Sequence, residues 1–236
     1  MRQDLCVTAA HLPTSDLTPT PRTTVKRAPD RARYERAFVH AVLDEGLVAH
    51  VGIADDDGQP FVLPMVYARD GERLILHGSV AGRVGRRLDA GVKVCVTVTL
   101  LDGIVLARSA FHHSLNYRSV VVLGVARKIT DEAQRVRSFN RLVDHVAPGR
   151  ASEVRQPNDP ESRQTMLLEL PITEASAKTR TGAPVEDPID LDDPTWGGVI
   201  PVSLLFGAPE ADEHTPAGEA VPSSVVGYER PAASRS

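Results

Sequence analysis

The chain has 236 residues, 42% of them apolar and 25% charged, which is enough to bury a real core. A net charge of −4 argues against a general nucleic-acid binder, and two cysteines (Cys6 and Cys95) exclude a disulfide framework or a four-cysteine metal site. The start MRQDLCVTAAHLP lacks the apolar stretch of a signal peptide, and no apolar run approaches the ~20 residues of a membrane helix, so a soluble cytoplasmic protein with no membrane partner is expected.

Residues 1–28 are rich in Thr, Pro and Arg, show no periodicity and read as a mobile arm. Asp30 is placed to cap a helix over 31–45, with Tyr34, Phe38, Val39, Val42 and Leu43 on one face and Gly46 closing it. Strands follow over 47–53, 61–68 and 73–79, joined by the polar turns ADDDGQ and RDGE, as in antiparallel hairpins. A short basic helix over 81–91 comes next. The run 92–107 is too long for one flat strand, and Asp102-Gly103 marks a bend or a hairpin turn within it. The pattern predicts a strand over 119–129, a helix over 131–146 capped by Thr130, and a strand over 165–172. The segment 173–206 is expected to return and cover a sheet edge. Residues 207–236 carry too little apolar surface to fold alone and read as a disordered tail. The folded domain is thus 29–206. Its strands are too closely spaced for parallel crossovers, so the expected fold is mainly β, a small closed barrel of six or so short strands with few, flanking helices.

Arg83, Arg86 and Arg87 open the basic helix just after His77-Gly78-Ser79. Free N–H groups at a helix start, guanidinium forks and a hydroxyl suit a phosphate, although the same residues also fit a solvated basic face. Alternation sets His77 on one strand face with Ile75, opposite Leu74 and Leu76, either as a packed histidine or as a pocket residue. The run RSAFHHSLNYRSV (108–120) is dense in hydrogen-bonding residues and reads as a pocket wall. His112 and His113 show no ligand spacing, and Ser109 and Ser114 form no nucleophile elbow. Trp196 fits core packing or a lid on a flat ligand. The acidic run 186–193 fits a solvated loop or a cation site.

Four motifs in order, FVLPMVY, LILHGSVAGRVGRRL, NYRSVVVLGVARKIT and a helix ending HVAPGR, resemble the pyridoxamine 5′-phosphate oxidase-like family, the FMN-binding split barrel. The similarity spans about residues 25–206 and is nearest to the branch of nitroimidazole-resistance and flavin-nucleotide-binding proteins. The resemblance implies the more specific fold of a six-stranded antiparallel split barrel with flanking helices, and a homodimer with FMN at its interface. It implies that the strand Val62, Leu63, Pro64, Met65, Val66, Tyr67 runs along the flavin ring, followed by His77, Gly78 and Ser79. Arg83 would hold the FMN phosphate. The family's second basic position falls at Val84, for which Arg86 or Arg87 substitutes, and Ser119 stands near the ring. In the nitroimidazole-resistance branch the histidine matching His77 is catalytic. The substrate-phosphate residues of true pyridoxamine phosphate oxidases have no clear match, so that substrate is not expected.

The function expected from the resemblance is a flavin oxidoreductase that passes electrons from reduced nicotinamide to a small-molecule acceptor such as a nitro compound or quinone. The alternatives are a non-catalytic flavin-binding or storage protein, a haem-binding split barrel with His77, His112 or His113 as axial ligand, and use of the deazaflavin F420 in place of FMN.

Overall fold

The computed structural model describes residues 15–79 and 91–232. The proposed basic helix, with Arg83, Val84, Arg86 and Arg87, lies outside the described residues.

The strands are β1 (Ala32–Arg33), β2 (Val48–Ala54), β3 (Pro60–Asp70), β4 (Arg73–Ser79), β5 (Val92–Leu106), β6 (Ser114–Lys128), β7 (Thr165–Pro171), β8 (Glu174–Arg180) and β9 (Gly198–Pro201). The helices are α1 (Arg36–Glu45), α2 (Glu132–Val146), α3 (Asp159–Gln164) and α4 (Ser223–Val226). Antiparallel pairing runs β2–β3–β4–β7–β6–β5 and returns to β2, which closes the expected ring of six strands.

Two strands make this closure possible. β5 and β6 are 15 residues each, and at ~3.4 Å per residue each reaches far enough to pair with two neighbours in succession. Along its free edge β5 meets β2 at Cys95–Thr97 and then β9 at Gly103–Leu106. β6 meets β8 at Tyr117–Leu123 and then β7 at Arg127 and Lys128. The run 92–107 is therefore one strand, not a hairpin. Its length is accommodated by a bulge, since Leu101 pairs with Tyr117, Gly103 pairs with Asn116, and Asp102 is the extra residue between them. β9 covers the β5 edge, as expected of the segment that returns.

Two helix starts differ from the sequence reading. Ala32 and Arg33 pair with Lys178 and Ala177 of β8, so α1 begins only at Arg36, after Glu35. At α2 the cap is Asp131 rather than Thr130, because the Asp131 carboxylate accepts from the Gln134 backbone N–H at 2.8 Å. β8 was missed because EASAKTR lacks an apolar alternation; it is held by its neighbours β1 and β6.

α1 seats Val39, Val42 and Leu43, at i, i+3 and i+4, in the main core with Val96, Val98, Val120, Val122, Leu74 and Leu76. Each of those three side chains contributes about 1.5–3 kcal/mol by burial. A second, smaller core lies under α2, where Ala68, Ile75, Ile129, Leu142 and Leu167 meet Phe139.

Among these apolar groups sits Arg118, 1% exposed. Its Nε and Nη2 donate to Asp102 at 2.9 and 2.8 Å, and its Nη1 and Nη2 donate to Glu45 at 2.6 and 2.9 Å. Burial by itself pushes a guanidinium pKa down, but these charge-assisted bonds outweigh it and hold Arg118 above its ordinary value. One cation thus ties the end of α1, the β5 bulge and β6 together.

The terminal segments lie against this body. Leu17 is buried in the main core, Thr20 Oγ1 donates to Glu174 at 2.6 Å, and the Tyr34 hydroxyl donates to the Thr23 carbonyl at 2.9 Å. These anchors are mostly polar and do not register in a count of apolar residues.

Arg118→Leu leaves two carboxylates facing each other without their cation, and breaking a buried pair in this way costs about 3–5 kcal/mol. Urea denaturation is expected to show that loss, with a smaller one for Glu45→Gln. An unchanged midpoint for Arg118→Leu would show that the cluster is not a structural tie.

Candidate functional site

Alternation along β3 divides the six residues predicted to line a flavin. Met65 and Tyr67 turn into the main core, with Leu63 on the same side. Val62, Pro64 and Val66 face outward, and Val62 is 60% exposed. The Tyr67 side chain is fully buried and its hydroxyl donates to the Leu43 carbonyl at 2.5 Å, so that side chain is turned away from the outer face. Burial raises the pKa of that phenol.

The outward strip of β3 continues across the sheet. His50 stands opposite Pro64 and Thr97, and Gly52 opposite Val62 and Cys95. Further across, Ser119 pairs with Thr99 and Lys178, and its hydroxyl donates to the Lys178 carbonyl at 3.3 Å. The result is a broad sheet face of mixed polarity, apolar at Val62, Pro64 and Val66 and polar at His50, Thr97 and Ser119, with bare backbone at Gly52.

The strip leads to His77, which lies on the same side as Ile75, as alternation requires. Its Nδ1 is 3.1 Å from the Val66 carbonyl. A carbonyl only accepts, so Nδ1 carries a proton, and in the neutral ring the lone pair is then on Nε2. His77 borders a cavity of about 470 Å³ between α2 and the sheet. Val66, Phe139, Leu142, Val143 and Val146 form apolar walls, and among the described lining residues Arg150 is the cation. Gly78 and Ser79 follow His77 along β4, paired with Met166 and Thr165. This pocket suits a flat apolar ligand with a Lewis-acidic centre at Nε2 and a negative edge at Arg150.

The other candidates do not gather here. Trp196 is 63% exposed, in the loop before β9, at the end of β5 remote from β4. His113 Nδ1 is 2.9 Å from the Ser109 carbonyl, and His112 Nε2 is 3.1 Å from Asp187. The expected pocket wall over 108–120 is instead a 3-10 turn (Ala110–His112) followed by β6. There His112, Asp187 and Asp190 come together at the surface, and Arg108 pairs with Glu186 at 3.1 Å.

Sequence reasoning gave no role to Arg150, His50 or His145, although His145 and Arg150 are the first and last residues of the HVAPGR motif. Arg150 sits just after the helix-stopping Pro148-Gly149, where nothing in the spacing says what it will face. His145, in the last turn of α2, stacks on Tyr67 with ring centroids 4.7 Å apart, and its Nε2 donates to the Gly46 carbonyl at 2.7 Å. Burial, and then the nearby Arg230, push its pKa down to about 4.

The family model described as pyridoxamine 5′-phosphate oxidase matches residues 35–179, more than half of the chain. Among solved structures, the flavocytochrome Anf3 from Azotobacter vinelandii is 40% identical with a TM-score of 0.83, over 89% of this chain and 97% of that one. The FAD and haem binding protein from Mycobacterium smegmatis is 34% identical with a TM-score of 0.79, over 84% of this chain and 96% of that one. A 5-nitroimidazole antibiotic resistance protein from Bacteroides thetaiotaomicron shares the fold, at 20% identity and a TM-score of 0.51 over 62% of this chain and 85% of that one. No curated protein matches.

His145 generates a pH dependence. Between its ordinary value of 6.5 and about 4, the unfolded chain binds a proton that the folded chain refuses. Stability is therefore expected to fall as pH drops through that window, by about 3 kcal/mol in full. Asp44, Arg69 and Arg230 face the ring and act on the same titration. Urea midpoints at pH 7 and pH 4.5 test this: His145→Gln is expected to remove most of the difference. Equal pH dependence in variant and wild type would assign it to other groups.

Proposed function

The chain belongs to the pyridoxamine 5′-phosphate oxidase family, and from that premise we propose that it is a flavin-dependent oxidoreductase that also carries a haem, relaying electrons from reduced nicotinamide to a small acceptor such as a quinone or nitro compound. The haem half rests on one observation: His77, its Nδ1 proton committed to the Val66 carbonyl, borders an apolar cavity that also contains a cation. That is the arrangement by which an axial histidine is oriented and made more basic. The titles of the two relatives above 30% identity, a flavocytochrome and a FAD and haem binding protein, support the same reading.

The residues divide the work. His77 would offer Nε2 to iron. Val66, Phe139, Leu142, Val143 and Val146 would exclude water from a bound ring, and Arg150 would meet a carboxylate at the mouth. The strip of Val62, Pro64 and Val66 with Gly52 lets a flat ring approach the backbone. A bound flavin supplies the exchange between two-electron and one-electron steps, and a bound haem passes electrons singly.

A second copy of the chain is proposed to cover the exposed apolar surface. Ile104 is flanked in register by Leu115 and Ile200, and all three are exposed, forming an apolar ladder across three strands. Ladders of this kind mark association surfaces. Light scattering is expected to give twice the chain mass, and Leu115→Asp to shift it towards one chain. A monomeric wild type would refute the pairing.

The absorption spectrum of the purified full-length chain, supplied with haemin and flavin, tests the cofactor assignment. Both the flavin bands and the intense haem band are expected, and chromatography of the released flavin decides between FMN and FAD. His77→Ala is expected to weaken haem at least about tenfold, the scale of even indirect ligand losses, while retaining flavin. A full-length chain that binds flavin but no haem leaves a plain flavoprotein. Failure of NADPH to bleach the flavin without air leaves a binder rather than an enzyme.

A further inference from the structure

We propose that residues 222–230 form a strap that holds the end of α2, one wall of the His77 cavity, with Arg230 as its clasp, so that docking of the chain's C-terminal segment controls how firmly that cavity holds its ligand. This rests on the cofactor reading above but concerns different residues.

The wall of the cavity on one side is the last turn of α2 and the residues after it: Val143, Val146, Ala147 and Arg150. A helix end leaves its final carbonyls without partners inside the helix. The strap supplies partners here. Arg230 donates to the carbonyl of His145, and the Tyr228 hydroxyl donates to that of Val146 at 2.5 Å. Arg230 also reaches the end of α1, donating to the carbonyls of Asp44 at 2.7 Å, Glu45 at 3.3 Å and Gly46 at 3.2 Å. One guanidinium therefore bridges two helix C-termini, where positive charge is favoured. α1 is fixed by the Arg118 cluster and the main core, so the clasp adds to the His145–Gly46 bond in tying the end of α2 to that fixed point.

A second tie lies beyond the helix. The hydroxyls of Ser223 and Ser224 and the backbone N–H of Ser224 all donate to Glu153. Those bonds, the Ser224 hydroxyl first, draw the Glu153 pKa down to about 2. Glu153 is in turn the partner of Arg150, at 3.1 Å. The strap therefore grips the chain at 145, 146 and 153, on both sides of the cavity residues Ala147 and Arg150. It also shares out the Glu153 carboxylate, which lessens that group's hold on Arg150 at the mouth.

The arrangement can be released. The strap contains only the four-residue α4, it is joined to β9 by an exposed stretch over 203–221, and Tyr228 packs edge-on against Phe206 at 4.8 Å. Only Ser224 of the strap is buried, and no strap residue belongs to the main core, so it opens more readily than the core.

Arg230→Met in the full chain keeps the side-chain length and removes the donors, and Arg230→Lys restores a cation. Two readouts are taken. Amide hydrogen exchange over residues 142–153 is expected to quicken about tenfold or more in Arg230→Met, the scale of one lost charge-assisted bond. The ring strands should be unchanged and Arg230→Lys intermediate. Transfer of haem from the chain to apomyoglobin is expected to quicken by a similar factor. Unchanged exchange over 142–153 would overturn the strap itself. Faster exchange with unchanged haem transfer would overturn its role at the cavity. If the wild-type chain takes up no haem, the cofactor assignment fails instead, and the exchange result still decides whether the strap holds the wall.

Discussion

The fold depends on a buried cation. Arg118 projects into the ring, where neither water nor a surface counter-ion can reach it, and must find its charge balance inside. Asp102 and Glu45 provide it from two different directions. Asp102 reaches it because the β5 bulge inserts one extra residue at that point, and Glu45 because α1 ends there. Replacing such a cluster with apolar side chains often costs nothing or stabilises, so its worth lies less in net free energy than in geometry. It permits one bulge position, one helix length and one register between β5 and β6.

That register determines what each face presents. With Val94, Val96 and Val98 turned into the core, Cys95 and Thr97 must face out, and the pairing with β2 and β3 carries the same parity to Gly52, His50, Val62 and Pro64. A slip of one residue would exchange the two sets entirely. The outward strip is therefore a consequence of how the inner one packs.

The cavity at His77 arises where the sheet face passes under α2. The second core, around Ile75 and Leu167, stops short of the helix end and leaves room bounded by Val143 and Val146. His77 lies at that margin, with one nitrogen committed to the backbone. The wall across from it is the frayable end of a helix, and its firmness comes from a chain segment that carries no regular structure beyond one short helical turn.

What the sequence by itself determined is what neighbouring residues decide among themselves. Alternation established that His77 shares a face with Ile75, and helical spacing placed Val39, Val42 and Leu43 inward; both hold because side-chain direction follows local backbone period. The order of strands, their antiparallel sense and the family likeness were legible for the same reason. Alternation also implied that Met65 and Tyr67 oppose Val62 and Val66, a distinction that the motif FVLPMVY taken as a unit conceals. The tertiary structure alone decided which distant groups meet. Arg118 finds Glu45 across 73 positions of sequence, and Arg230 finds Asp44 across 186. No periodicity encodes such pairs, because they exist only once the ring has closed and brought two helix ends side by side.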